Sequence, residues 1–292
     1  MTNEKASLLT EISLILAALF WGTNYAATKY AAEFLPPLLI VALRFTAGVL
    51  LLFVALRLVE PETRLRREDV LPMLGVGCLG VAMAQIPFTF GISLTSASNT
   101  GLIFATAPVW GLLLGLALGL ERPSRSGILG VVLSISGTAI VFHEGLVGGE
   151  GARLLGDLLI LVAAVGVGAY TVFSMSVLER KSPLAVATYP TLFGSPIVLL
   201  LASPLLPGLD WHVGAGAWGA VGFSAVFATA FAFAAWQGGI SRIGANRVLV
   251  YQYLITLTGV TSGVVFFGES LGASKILGGA VILLGVYLAR RR

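Results

Sequence analysis

Apolar runs about twenty residues long, broken by short polar stretches, repeat from one end of the chain to the other. Coiled as an α-helix at about 1.5 Å per residue, such a run matches the hydrocarbon thickness of a bilayer. Ten runs predict ten spans, at 12–32, 36–57, 70–92, 96–119, 126–143, 154–178, 183–203, 214–238, 245–267 and 272–290. Only Ser93 to Ser98 separate the third from the fourth. The longest polar stretch, Arg57 to Val70, is a short loop, so no soluble domain fits between spans. The first run holds Trp21, Asn24 and Lys29 and has no small-residue cleavage site before the next span. It reads as a retained span rather than a signal peptide.

The loops add an orientation. With the amino terminus on the cytoplasmic side, that side receives Lys5, Arg57, Arg64, Arg66, Arg67, Arg122, Arg125, Arg180, Lys181, Arg242, Arg247 and Arg290 to Arg292. The other side receives Lys29, Arg153 and Lys275. This is the asymmetry the positive-inside rule requires, and one missed or invented helix would scramble it. Both termini are therefore expected in the cytoplasm.

Composition agrees. Hydrophobic residues make up 57% of the chain and charged residues 11%, against roughly 25% charged in soluble domains; the mean hydropathy is +0.94. The net charge of +4 does not signal nucleic acid, because the basic residues sit in short loops rather than on one face or in a tail. The single cysteine, Cys78, lies inside an apolar run and excludes a disulfide framework.

An internal duplication is visible at one offset. Gly91-Ile92-Ser93 matches Gly239-Ile240-Ser241, and Ala97, Gly115 and Glu121 fall on Ala245, Gly263 and Glu269. Ser126, Ile128-Leu129-Gly130 and Gly137 fall on Ser274, Ile276-Leu277-Gly278 and Gly285. The first spans align less clearly, with Ile15-Leu16 on Ile160-Leu161 and Tyr25 on Tyr170. Five spans per half, an odd number, turn the second half upside down relative to the first. The expected fold is an all-α polytopic membrane protein, its ten helices forming two five-helix inverted-topology repeats, residues 1–147 and 148–292. Secondary transporters often have this architecture and place their substrate near the midplane.

Further residues carry a family resemblance: Trp21-Gly22 in the first span, Ala42-Leu43-Arg44-Phe45 in the second, Thr106-Ala107-Pro108 in the fourth, and Gly119 to Glu121 before a Gly-rich fifth. Gly268-Glu269 repeats that ending before Gly278 and Gly285. With the duplication and the span count, the chain resembles the drug/metabolite transporter superfamily, specifically its ten-helix EamA-type exporters. The resemblance covers nearly the whole chain. It implies export of amino acids, metabolites or drugs by alternating access across the inner (cell) membrane of a bacterium. One position departs from repeat symmetry: Thr256 stands at the counterpart of Pro108.

Arg44 is the only charge well inside a predicted span, where a charge is costly and functional by default. It either binds a substrate carboxylate or satisfies backbone carbonyls at a helix break. The resemblance, which implies this arginine across differing substrates, favours the structural role. Glu11, Glu33, Asp157, Glu179 and Glu269 lie at span ends or in loops, as do His143 and His212. Without a mid-span carboxylate, facilitated export is at least as well supported as proton antiport.

Aromatic and amide side chains recur at helical spacing. Trp21, Asn24 and Tyr25 share a face, as do Gln85, Phe88 and Thr89, and Phe233, Trp236 and Gln237. Tyr170, Tyr189 and the run Tyr251-Gln252-Tyr253 add phenols and another amide. One reading is a mostly apolar cavity with a few polar groups, formed mainly by spans 1, 3, 4, 6, 8 and 9. The other is hydrogen bonding between helices, with interfacial aromatics near span ends. Pro87, Pro108, Pro190 and Pro196 interrupt spans, and the first, second and fourth are candidate hinges for alternating access. Gly111, Gly115 and Gly119 form a GxxxG ridge for close helix approach, leaving both a monomer and a homodimer open. Gly75 to Gly80 matches the dinucleotide fingerprint in letters, but it lies in an apolar span and follows no strand. No catalytic, metal or cofactor site is expected. A channel would call for charged rings or a filter loop, and an intramembrane enzyme for a catalytic constellation. A transporter of small molecules, in contact with the bilayer and with no nucleic-acid partner, accounts for the pattern best. Amino acids, aromatic ones included, are the favoured cargo, with drugs or other metabolites as the alternative.

Overall fold

The fold is given by a computed structural model that describes the backbone of residues 2–120, 122, 124–147, 151–248 and 250–289. Glu121, Arg290 to Arg292 and the side chain of Lys5 lie outside the described residues. The first half contains α1 (Thr2–Ala31) and α2 (Pro37–Val59). Its third span is composite: α3 (Arg67–Gly77), a π-helical segment (Cys78–Met83) and α4 (Ala84–Leu94). The fourth is α5 (Ala97–Phe104) and α6 (Ala107–Ala117), and the fifth is α7 (Arg125–Val147). The second half contains α8 (Gly151–Leu178) and α9 (Pro183–Ala202), then α10 (Ala215–Ala225), a second π-helical segment (Val226–Phe231) and α11 (Ala232–Ile243). It ends with α12 (Ala245–Val248), α13 (Tyr251–Phe267) and α14 (Ala273–Ala289). Among the described residues eight helical stretches are long and apolar enough to cross a membrane, and α13 and α14 are shorter apolar helices that complete ten.

Local chemistry sets the helix starts. Pro37 opens α2, where a missing N–H costs nothing. Ser182 precedes Pro183 and accepts from the Ala185 N–H at 3.2 Å, and Ser96 caps α5 by accepting from Asn99 at 3.0 Å. Pro108 sits in the first turn of α6, just after the break at Ala105–Thr106. In the second half α13 runs unbroken through Thr256, whose hydroxyl donates to the Gln252 carbonyl at 3.0 Å. The ninth span breaks earlier, between α12 and α13, so the two halves bend at different depths.

The inverted repeat shows most directly in the two π-helical segments, which begin 148 positions apart and have the same length. Such bulges widen a turn and leave backbone groups outside the regular ladder. Each is crossed by a helix of the other half. Gly48 of α2 lies against Thr229, and Gly194 of α9 lies against Gly77 and Val81.

The fifth and tenth spans, α7 and α14, form an antiparallel pair. Gly130 meets Gly285 and Ala289, and Gly137 meets Gly278 and Ile282, backbone against backbone. These are the glycines that matched across the duplication. The GxxxG ridge is used inside the chain: Gly111 and Gly168 of α8 bring α6 and α8 together, Gly115 is buried, and Gly119 ends the helix at φ +71°. The dinucleotide-like glycines also serve packing, since a Cβ on Gly77 would stand 2.2 Å from the Pro190 carbonyl oxygen and one on Gly80 2.5 Å from the Tyr170 ring.

Candidate functional site

Arg44 sits in α2, 3% exposed, beside the π-helical segment of the eighth span. Its Nε donates to Thr229 Oγ1 at 2.8 Å, Nη1 to Gln85 Oε1 at 3.3 Å and Nη2 to the Ala228 carbonyl at 3.4 Å. Trp21 Nε1 donates to the same carbonyl at 2.8 Å. One bulge thus collects a guanidinium and an indole from the first half, in a medium that offers no water to replace them. Close by, Ser224 donates to Asn24 Oδ1 at 2.5 Å. The other bulge is apolar: Val81 stands where the repeat has Thr229, Gly80 faces the Tyr170 ring, and Pro190 of α9 crosses nearby.

Around this lock the predicted aromatic and amide residues fall into two layers. Trp21 lies 4.9 Å from Trp236 and 5.8 Å from Phe233, which also meets Phe45 and Tyr170 at 6.2 and 6.3 Å. Gln237 Nε2 donates to the Tyr170 hydroxyl at 2.8 Å. Trp21, Tyr170, Trp236, Tyr251 and Tyr253 keep partial exposure, and they run from mid-span toward the end that carries the termini. Gln252 is buried in the first turn of α13. Gln237 Oε1 and Gln252 Nε2 are buried with no hydrogen-bond partner in the protein, a costly condition that often marks a site.

The second layer lies toward the opposite end. Tyr25, Phe88 and Phe104 form a closed triangle with centroid separations of 5.5, 5.5 and 6.2 Å, and Tyr25 seats on Gly259. Tyr25 and Phe88 are almost fully buried, so this layer closes the bundle.

Three predicted residues lie apart from these layers or shape the helices instead. Tyr189 is buried beneath the second loop, its hydroxyl donating to the Thr63 carbonyl at 3.3 Å, among contacts that fasten the α2–α3 region to the loop between α8 and α9: Lys181 to Asp69 at 2.7 Å, and Ser182 to Glu60. Pro87 follows the first π-helical segment within α4, and Pro196 lies within α9.

Sequence reading left out Ser224, Thr229 and Phe104. Thr229 had a signal, a polar residue matching Val81 across an otherwise apolar repeat. Asp157 lies near the start of α8, at the span end expected of it. There it is fully buried and accepts from Thr95 Oγ1 at 2.5 Å and from Asn99 Nδ2 at 3.1 and 3.2 Å. Glu269 accepts from the Ala97 and Ser98 N–H groups at 2.7 and 2.8 Å, capping α5 of the other half. Lys29 Nζ donates to the Thr95 carbonyl. The loop at 95–96 is thereby tied to both halves. Among the described residues no carboxylate lies at mid-span.

Comparison with known proteins places this geometry. Residues 8–143 and 154–291 each match the model of the EamA-like transporter family. An uncharacterized transporter from Archaeoglobus fulgidus is 25% identical over 283 residues, covering 96% of this chain and 98% of its own. A protein described as a probable amino-acid metabolite efflux pump from Salmonella typhimurium is 26% identical over 289 residues, covering 94% and 92%. A chain of known crystal structure superposes with a TM-score of 0.67 at 22% identity, covering 96% of this chain and 97% of that one, a likeness of fold.

Proposed function

The chain belongs to the EamA-like transporter family, and we propose that it exports amino acids, aromatic ones included, by alternating access between its two halves. It is a multi-pass membrane transporter, not an enzyme. The supporting observation is the convergence of aromatic and amide groups from both halves, Trp21 and Gln85 with Tyr170, Trp236 and Gln237. Half-exposed rings with unpaired amide groups suit a solute with an apolar side chain and a polar head. The efflux pump of Salmonella typhimurium, described for amino-acid metabolites, points the same way.

The end bearing the termini faces the cytoplasm in this reading, since fourteen of the eighteen basic residues lie there. The protein then resides in the inner membrane of a bacterium, open toward the cytoplasm at the aromatic layer and shut outside by Tyr25, Phe88 and Phe104. Trp21, Asn24, Trp236, Tyr251, Gln252 and Tyr253 line the solute path, while Arg44 positions the bulge. Pro87, just after the first π-helical segment, Pro108, just after the break at Ala105–Thr106, and Pro196 within α9 supply hinges. Among the described residues no carboxylate lies at the midplane to carry a proton, which supports facilitated transport at least as well as proton antiport.

Counterflow in liposomes containing only the purified protein tests this, with radiolabelled phenylalanine and alanine and with or without a pH gradient. Saturable exchange without a gradient is expected, faster for phenylalanine. Accumulation that requires the pH gradient would overturn facilitated transport and turn attention to Asp157 and Glu269. Absence of saturable flux for any amino acid would remove the cargo and leave drugs or other metabolites.

A further inference from the structure

Only three basic residues belong to the end opposite the termini, Lys29, Arg153 and Lys275. They come from α1, α8 and α14, far apart in sequence, and all three line one cavity of about 490 Å³. The positive-inside rule disfavours basic residues on this side, and gathering like charges in one hollow adds repulsion. Two carboxylates lie beside them, and both are engaged by the first half: Glu269 by the start of α5, Asp157 by Thr95 and Asn99. A third carboxylate, Glu33, lies near Lys29 but is exposed to solvent, so the hollow presents three basic side chains against carboxylates that are already engaged or solvated. Lys275 is 6% exposed and reaches Ser96 Oγ at 3.4 Å and the Ser270 carbonyl at 3.2 Å, one contact in each half.

The hollow lies directly beyond the aromatic triangle. Lys29 is one turn past Tyr25 on the same face of α1, about 6 Å along the axis. A solute that passes the triangle meets an ammonium group next. Its volume falls in the range of small-molecule sites, roughly 300–1,000 Å³.

We propose that this vestibule is a carboxylate-binding exit site, where Lys29, Lys275 and Arg153 receive the carboxylate of the exported solute before release. The proposal rests on the reading of the chain as an amino-acid exporter. Its physical sense is that a solute leaving an apolar layer must regain polar partners, and charge-assisted hydrogen bonds supply them before bulk water does.

The test uses the full chain in liposomes with Cys78→Ser and Ser270→Cys, so that the one thiol stands at the vestibule rim. Labelling by a membrane-impermeant maleimide is timed with phenylalanine, N-acetylphenylalanine, phenylalaninamide or inorganic phosphate present. Phenylalanine and N-acetylphenylalanine are expected to slow labelling, and phenylalaninamide is not. Adding Lys29→Gln should weaken that protection about tenfold, as for loss of one charge-assisted contact, while Lys29→Arg retains it and shows that the site still folds. Equal protection by phenylalaninamide or by phosphate, or protection unchanged in Lys29→Gln, would overturn the carboxylate site. Phenylalanine counterflow in the same liposomes separates the two claims. Counterflow without protection removes the vestibule site alone; protection without counterflow removes its role as an exit for exported amino acids.

Discussion

An Arg44→Ala protein is expected to melt on the order of 5 °C or more below the wild type, with transport falling as the fold weakens. The guanidinium bonds Thr229, Gln85 and the Ala228 carbonyl from a position closed to solvent. Hydrogen bonds to a charged group contribute about 1.5–3 kcal/mol each, and removal leaves three acceptors with no water to turn to. Arg44→Lys should fall between, since an ammonium group lacks the fork that reaches several acceptors at once. Thr229→Val should lower stability in its own right and add less than its full effect on top of Arg44→Ala, because both act on one contact. Thermal unfolding in detergent, followed by intrinsic fluorescence, reads all four. Wild-type melting of Arg44→Ala with solute binding abolished would instead place the guanidinium on the solute.

Gly137→Leu is expected to abolish recovery of monodisperse protein. A Cβ there would stand 2.7 Å from both the Gly278 carbonyl oxygen and the Ile282 nitrogen. These are backbone atoms that cannot rotate aside, so α7 and α14 must part along their length. Overpacking in a well-filled core costs about 1–3 kcal/mol and more where nothing yields. In a membrane, where helix association depends on close packing rather than on the hydrophobic effect, that loss has little to offset it. Gly75→Leu is the control, at an exposed helical position with nothing within 4 Å, and should behave as wild type. Equal size-exclusion profiles for the two variants would contradict the account of this crossing.

The spans could be read from sequence because each is a run of apolar residues with charges or prolines at its ends, and bilayer thickness permits little else. The duplication was equally open, since Gly130, Gly137, Gly278 and Gly285 are held at one offset by the crossing they form. The π-helical segments were not: Cys78 to Met83 and Val226 to Phe231 are ordinary apolar sequence, and a bulge arises from what packs against it. For the same reason the sequence leaves Arg44 two readings, since Thr229 and the Ala228 carbonyl, the contacts that support the structural one, lie far from it along the chain. Asp157 reads as a span-end residue because sequence shows its distance from the start of α8 but not the 95–99 segment folded over it. Tyr189 shows the reverse case, a phenol that counts toward a polar midplane by composition but closes a loop by position. Pro108 was visible as a break, whereas the earlier break in the ninth span carries no proline at all.

The central claim is that the two halves part at one end while they close at the other. Ser96 and Ser270 belong to different halves and both touch the Lys275 ammonium group, so cysteines there lie close enough to bridge. In a Cys78→Ser background, phenylalanine counterflow is measured on Ser96→Cys/Ser270→Cys protein before crosslinking, after a short bifunctional methanethiosulfonate links the two thiols through disulfides, and after reduction of those disulfides. The account predicts that the crosslink abolishes counterflow and that reduction restores it. Counterflow at an unchanged rate in fully crosslinked protein would contradict it.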